Sequence, residues 1–201
     1  VIKEGNTLTT MSAMKNIVAK AEVSESFERE VAIYDLNEFL ASLSLFKSPV
    51  LEFDESFVTI KEENTTTSLK YFYSDPSVVT TPSKTIKMPS KEVTFSLKGE
   101  DLTKLKRAAG VIGAPDLVLE KKDTGSFLTV KDKKNDTANT FSLDVTTTSE
   151  GNFNCFFTVE NLKVMDGNYD VEISSKNISH LSSSNKDVEY WVALEPESTY
   201  E

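Results

Sequence analysis

Apolar residues recur at helical spacing in only a few places along this chain; elsewhere they alternate with polar ones. From Asp35 the run DLNEFLASLSLF places Leu36, Phe39, Leu40 and Leu43 on one face, and Asp35 followed by Glu38 forms an acidic variant of the capping box. That pattern predicts an amphipathic helix of about three turns. A second helix is predicted from Gly99 through GEDLTKLKRAAGVI, with Leu102, Leu105, Ala109 and Ile112 on its apolar face. Lys104 and Arg107 point away from that face and Lys106 flanks them. A third, shorter helix is predicted over VENLKVM, from Val159 to Met165, closed by the turn signal Asp166-Gly167.

Runs of β-branched and aromatic residues broken by polar turns account for most of the remainder. The first half offers TLTTMSAM, NIVAKAEV, REVAIYD, PVLEFDE, FVTIKEE and SLKYFYS. The second offers LVLEKK from Leu117, SFLTVKD from Ser126, TFSLDVTTT from Thr140, NFNCFFT from Asn152, YDVEISS from Tyr169 and VEYWVAL from Val188. Both halves read as α+β, an antiparallel sheet with helices on one face.

The halves also read as copies of each other. In the first, VAIYDLNEFL, two strands and SLKYFYSDPS follow in the order that CFFTVENLKVM, YDVEISS and DVEYWVALEPES follow in the second. The second copy opens with a further strand and helix, VTFSLKGEDLTKLKRAAGVI from Val93, and the first, which begins at Val1, lacks a counterpart. On this reading a leading strand and helix are missing from the first domain. Between the copies, SDPSVVTTPSKTIKMPSKE carries Pro76, Pro82 and Pro89 and is predicted to be an extended connector. The expected division is 1–75, connector 76–92, and 93–201.

Composition narrows the function classes. With 201 residues, 38% of them apolar, the chain has material for real cores, while seven Gly and six Pro are too few for a fibrous protein. No run approaches the ~18 apolar residues of a membrane span and no signal peptide is visible, so a soluble protein is expected. The single Cys155 excludes an internal disulfide and points to a reducing, cytoplasmic setting. Asn-x-Ser/Thr triplets at Asn64, Asn135 and Asn177 are what chance produces in a chain rich in these residues. A net charge of −10 opposes general phosphate binding but leaves room for a local basic surface, and the cations do gather on the helix from Gly99.

VAIYDLNEFLASLSL at Val31, DPSVVTTPSK at Asp75, the GEDLTKLKR helix start at Gly99, NLKVMDGNYDV at Asn161 and YWVALEPEST at Tyr190 are colinear stretches that span nearly the whole chain. Together they resemble the sliding clamps of T-even-like bacteriophages. The resemblance implies a DNA clamp fold of two similar domains and a homotrimeric ring whose helices line a hole around double-stranded DNA. It implies binding without sequence preference, because Lys and Arg contacts to phosphate carry no base information. A replicative DNA polymerase and a clamp loader are the implied partners, with the late-transcription machinery a further one, in the cytoplasm of an infected bacterial host. On this resemblance Lys98, Lys104, Lys106, Arg107 and Lys163 face DNA. Val78, Val79, Ile86 and Met88 of the connector, with Leu194 and Pro196, form the pocket for a partner peptide.

Without the resemblance these residues have blander roles: Lys104 and Arg107 solvate an amphipathic helix, and the apolar residues pin the connector to what lies beneath. The first helix offers Asn37, Glu38, Ala41 and Ser44 on its polar face and no cation. Catalysis has little support. His180, the only histidine, lies in ISHLSSSN, which reads as a loop, and Cys155 lies in a strand, so neither a Cys-His nor a Ser-His pair is indicated. No zinc spacing is present, the carboxylate pairs Asp54-Glu55 and Glu62-Glu63 read as solvated turns, and GVIGAP reads as a helix end at Gly110 or Gly113. No catalytic residue, metal, cofactor or membrane contact is expected. Two other classes compete: a β-rich virion or surface-interaction protein without a DNA role, and an α+β enzyme with an unseen site.

Overall fold

The structure, a computed structural model, describes residues 1–82 and 85–201. The chain divides into two compact units, Val1–Met11 with Lys20–Ser83, and Ser12–Ala19 with Lys84–Glu201.

In the first unit β1 (Gly5–Met11) lies beside β2 (Ile17–Phe27), whose first three residues belong to the second unit, and α1 (Leu36–Ser44) precedes a meander of β3 (Pro49–Phe53), β4 (Phe57–Glu62) and β5 (Ser68–Phe72). The antiparallel register sets Leu51 opposite Ile60 and Ile60 opposite Leu69. Alternation along β4 turns Val58 and Ile60 into a core shared with Val31, Ile33, Phe39 and Phe46. Asp35 is the N-cap, as expected: its Oδ1 accepts the Glu38 amide at 3.0 Å. Tyr71 from β5 meets Phe39 edge-on at 5.1 Å and donates its hydroxyl to Asp35 O at 3.1 Å, which anchors the helix start to the sheet.

Two expectations for this unit are corrected. The apolar face of α1 is narrower than its spacing implies, because the row Phe39–Leu43 packs inward while Leu36 and Leu40 stay 58% and 51% exposed. REVAIYD is not a strand: Val31 makes one isolated bridge with Ile2, and Ala32 O accepts from Ser74 N. Its consecutive buried residues Val31, Ala32 and Ile33 lack the alternation of a half-buried strand.

The second unit repeats one motif twice. First come β6 (Val93–Leu97), α2 (Gly99–Ile112), β7 (Asp116–Lys122), β8 (Gly125–Lys131) and β9 (Phe141–Val145). Then come β10 (Phe153–Thr158), a 3-10 turn at Val159–Asn161, β11 (Tyr169–Ser174), β12 (Ile178–Ser183) and β13 (Val188–Ala193), followed by the short β14 (Thr199–Tyr200). Each leading strand joins the other repeat's sheet. β6 pairs β11, with Phe95 opposite Val171 and Leu97 opposite Tyr169, and β10 pairs β7, with Cys155 opposite Leu119 and Phe157 opposite Leu117. The sheets run β13-β12-β11-β6 and β14-β10-β7-β8-β9. Their inward faces share one core with Leu102, Leu105 and Ala109 of α2. Burying each of those leucines stabilises the unit by about 1.5–3 kcal/mol over leaving it exposed. Residues Ser12–Ala19 attach through Asn16, which bonds Asn161 at 2.9 Å and accepts the Ala193 amide at 2.9 Å.

The start of α2 is set by residues distant in sequence. Lys98 supplies no capping acceptor, and the Gly99 amide donates instead to Asn168 Oδ1 at 2.8 Å. A Cβ at Gly99 would lie 2.9 Å from Gly167 O, so only glycine fits there. The helix ends at Gly113, whose φ of 67° is the left-handed cap that glycine supplies without strain.

Two further expectations are corrected. The helix over Val159 to Met165 shrinks to the 3-10 turn, because Leu162 and Val164 are buried while Lys163 and Met165 are exposed, a period of two and not 3.6. ISHLSS is a strand and not a loop. It is paired on both sides, with Ser179 buried because its hydroxyl donates to Val192 O at 2.9 Å.

Replacing Gly99→Ala is expected to destabilise the protein by about 1–3 kcal/mol through the clash with Gly167. Gly110→Ala, in open space on the same helix, should stabilise it by about 0.5–1 kcal/mol. Urea midpoints of the two variants check both signs.

Candidate nucleic-acid and partner interfaces

The exposed side of α2 carries Glu100, Thr103, Lys104, Arg107, Gly110 and Val111. Glu100 and Asp101 in the first turn suit the positive end of the helix. Asp101 also lies 3.6 Å from Lys104 Nζ and partly neutralises it. Arg107 is exposed. Lys106 is turned aside: its ammonium donates to Val164 O at 3.1 Å, and burial pushes its pKa down against the pull of Asp166. That bond lays the stretch bearing the exposed Lys163 alongside α2. Lys98, also exposed, precedes the helix. The basic surface of this unit is therefore modest.

The apolar candidates fall in both units. In the first unit Asp75 Oδ1 caps a 3-10 turn at Pro76–Val78 by accepting the Ser77 amide at 2.8 Å, which leaves Val78 exposed and Val79 half-buried. That hydrogen bonding holds the Asp75 carboxyl below its ordinary range. In the second unit Ile86 and Met88 are half-buried, Pro196 is exposed, and Leu194 belongs to the core at 6% exposure. Ser83 and Lys84 of the connector lie outside the described residues.

Sequence reasoning missed two side-chain clusters. On the outer face of β12, His180 stacks on Trp191 at 4.9 Å, with Nε2 2.8 Å from Glu189 and Nδ1 3.6 Å from Glu172. Lys133 gathers Asp116, Glu195 and Glu197 around one ammonium. Neither signal is local, since the partners come from different segments of the chain. Cys155, wholly buried in β10, has its thiol pushed up to about 12 by burial and is protonated at neutral pH, not a nucleophile. Among the described residues no group of three His, Cys, Asp or Glu could hold a metal ion, and no helix is long and apolar enough to cross a membrane.

The family model described as "gp45 sliding clamp, C terminal" matches residues 94–196. The chain is 31% identical to the sliding clamp of Vibrio phage KVP40, over 97% of its own length and 90% of that protein. This chain belongs to the gp45 sliding-clamp family. The sliding clamps of Escherichia phage RB69 and Enterobacteria phage T4 are each 28% identical to it, over 100% of the chain and 90% of those proteins. Two solved structures share the clamp fold at 16% identity. One is A. fulgidus PCNA bound to the C-terminal region of FEN-1, with a TM-score of 0.67, covering 98% of this chain and 88% of that one. The other is the Helicobacter pylori beta clamp bound to a DNA ligase peptide, with a TM-score of 0.64, covering 100% and 58%. The fold is thus the α+β clamp fold of antiparallel sheets with helices.

Lys106 yields a pH test whose sign is fixed. Its folded pKa is lowered, so the unfolded chain binds more protons in the alkaline window below the ordinary lysine pKa, and its contribution to stability rises with pH there. The stability of the unaltered chain relative to Lys106→Met is expected to increase between neutrality and about pH 10. Urea unfolding of both chains at each pH checks it, and taking the difference cancels the tyrosines.

Proposed function

We propose that the protein is the subunit of a homotrimeric ring that encircles duplex DNA and tethers the replicative polymerase, acting without catalysis in the infected cell. The observation that carries this reading is the colinear match to three phage sliding clamps along nearly the whole chain. In this reading residues 1–75 and 93–201 are the two clamp domains and 76–92 the connector. Lys98, Lys104, Arg107 and Lys163 contribute the DNA-facing charge, with Lys106 held back by its bond to Val164.

The physical logic suits an acidic protein. A chain of net charge −10 with few free cations on α2 binds phosphate weakly, and a closed ring does not need strong binding to stay on its track. Among the described residues β9 in the second unit, and β3 and β5 in the first, are edges of their sheets and supply candidates for closing the ring by strand pairing between copies. Val78 and Val79 in the first unit, and Ile86, Met88 and Pro196 with the core residue Leu194 in the second, are the candidates for receiving a peptide from polymerase or clamp loader.

Light scattering is expected to give a mass three times that of one subunit, near three times 22.4 kDa for these 201 residues. A monomer at high concentration would remove the ring and favour an interaction protein without a DNA role. Neutralising Lys104 and Arg107 together, as Lys104→Gln with Arg107→Gln, should weaken duplex binding equally for all sequences and flatten its log-log salt dependence by about two. Binding titrations across salt concentrations check that slope.

A further inference from the structure

Residues 195–201 follow the core residue Leu194 and run along the outer edge of β10, whose other edge pairs β7. They satisfy that edge in detail. Glu195 N donates to Phe156 O at 2.9 Å, Phe156 N donates to Ser198 Oγ at 3.0 Å, and Glu201 N donates to Asn152 O at 2.8 Å. Regular pairing is limited to Thr199 with Asn154 and Tyr200 with Phe153.

The rest of the hold is ionic and comes from one residue. Lys133, just beyond β8, places Nζ 2.5 Å from Glu197, 3.4 Å from the buried Asp116 and 4.0 Å from Glu195, and 5.7 Å from the Phe156 ring centroid. Its own amide donates to Asp116 Oδ2 at 3.0 Å, so the lysine is fixed at its base as well as at its tip. Thr158 Oγ1 steadies Glu195 at 2.5 Å. Burial works against the Lys133 charge, yet Glu197 and Asp116 hold its pKa above the ordinary lysine range.

One feature opposes closure. The Tyr200 hydroxyl is buried against the Cys155 thiol, a weak hydrogen-bonding partner that replaces water poorly. A phenol that exchanges water for a thiol costs free energy only while the segment is seated. The seat itself is close: a Cβ at Gly151 would lie 2.1 Å from Glu201 O.

We propose that residues 195–201 form a displaceable strap over the edge of β10, latched by Lys133 and weakened by the buried Tyr200 hydroxyl, which has only a weak thiol partner in place of water. Release uncovers the backbone groups of residues 152–156 as an unpaired strand edge and opens the thiol of Cys155 to solvent. The strap belongs to the second unit alone and does not depend on the ring.

The chain has one cysteine, so the rate of Cys155 labelling by an aromatic disulfide reagent reads strap opening directly. Loss of a charge-assisted contact in Lys133→Met should speed labelling by about ten-fold, and Glu197→Gln, at an exposed carboxylate, by several-fold. Tyr200→Phe should slow it, because only the seated state loses its penalty. All these rates should be nearly flat in low urea, since local opening exposes little surface, and the global urea midpoints should stay close together. Glu197→Gln keeps the test decisive should Lys133→Met fail to fold. Equal labelling rates across the variants, or rates that climb steeply with urea from the lowest concentrations, overturn the proposal.

Discussion

The second unit depends on the reciprocal exchange of leading strands between its two repeats. β6 completes the sheet of the second repeat and β10 that of the first, so neither sheet is whole until both repeats are present. Phe95, Leu97, Cys155 and Phe157 all sit on exchanged strands and all belong to one core. These pairings join residues far apart in sequence, so loop closure must precede the gain from burial, and folding of this unit should be cooperative rather than repeat by repeat.

The placement of α2 is a consequence of that exchange. Only Lys98 separates β6 from the helix, so once β6 has paired with β11, Gly99 is carried against Gly167 and Asn168, which supply the close backbone seat and the missing cap. Leu102, Leu105 and Ala109 then face the core, and the opposite side, with Lys104 and Arg107, faces outward. The charge of that face is limited by its neighbours. Asp101 lies beside Lys104, and Lys106 bends to a carbonyl. A surface this sparse in free cations suits the proposed ring, in which enclosure, and not phosphate affinity, would set residence.

Polar groups at the sheet margins are handled in different ways. Ser179 is buried but satisfied by Val192 O, and the edge of β10 is satisfied by residues 195–201. Glu120 is largely buried on the outer face of β7, yet Lys122, Thr129 and Lys131 reach it at 2.7, 2.9 and 3.6 Å. Burial alone would raise its pKa, and these partners turn the balance downward. Tyr200 is served less well, its buried hydroxyl having only the weak Cys155 thiol beside it.

Periodicity and capping chemistry were enough to locate both helices, the Asp35 cap and most strands, and to narrow the end of α2 to Gly110 or Gly113, because those signals are local and act within a few residues. The colinear motifs were enough for the family. What local pattern misjudged were segments whose state depends on neighbours. Val159 to Met165 has helix-forming residues, but burial of Leu162 and Val164 on one side demands extended backbone. ISHLSS reads as polar until strands on both sides and the Val192 carbonyl make burial of its serine affordable. The exchange of leading strands, the Asn168 cap, the diversion of Lys106 and the Lys133 cluster were likewise decided only by tertiary structure. Each joins residues tens of positions apart, and no spacing along the chain encodes which distant partner will arrive.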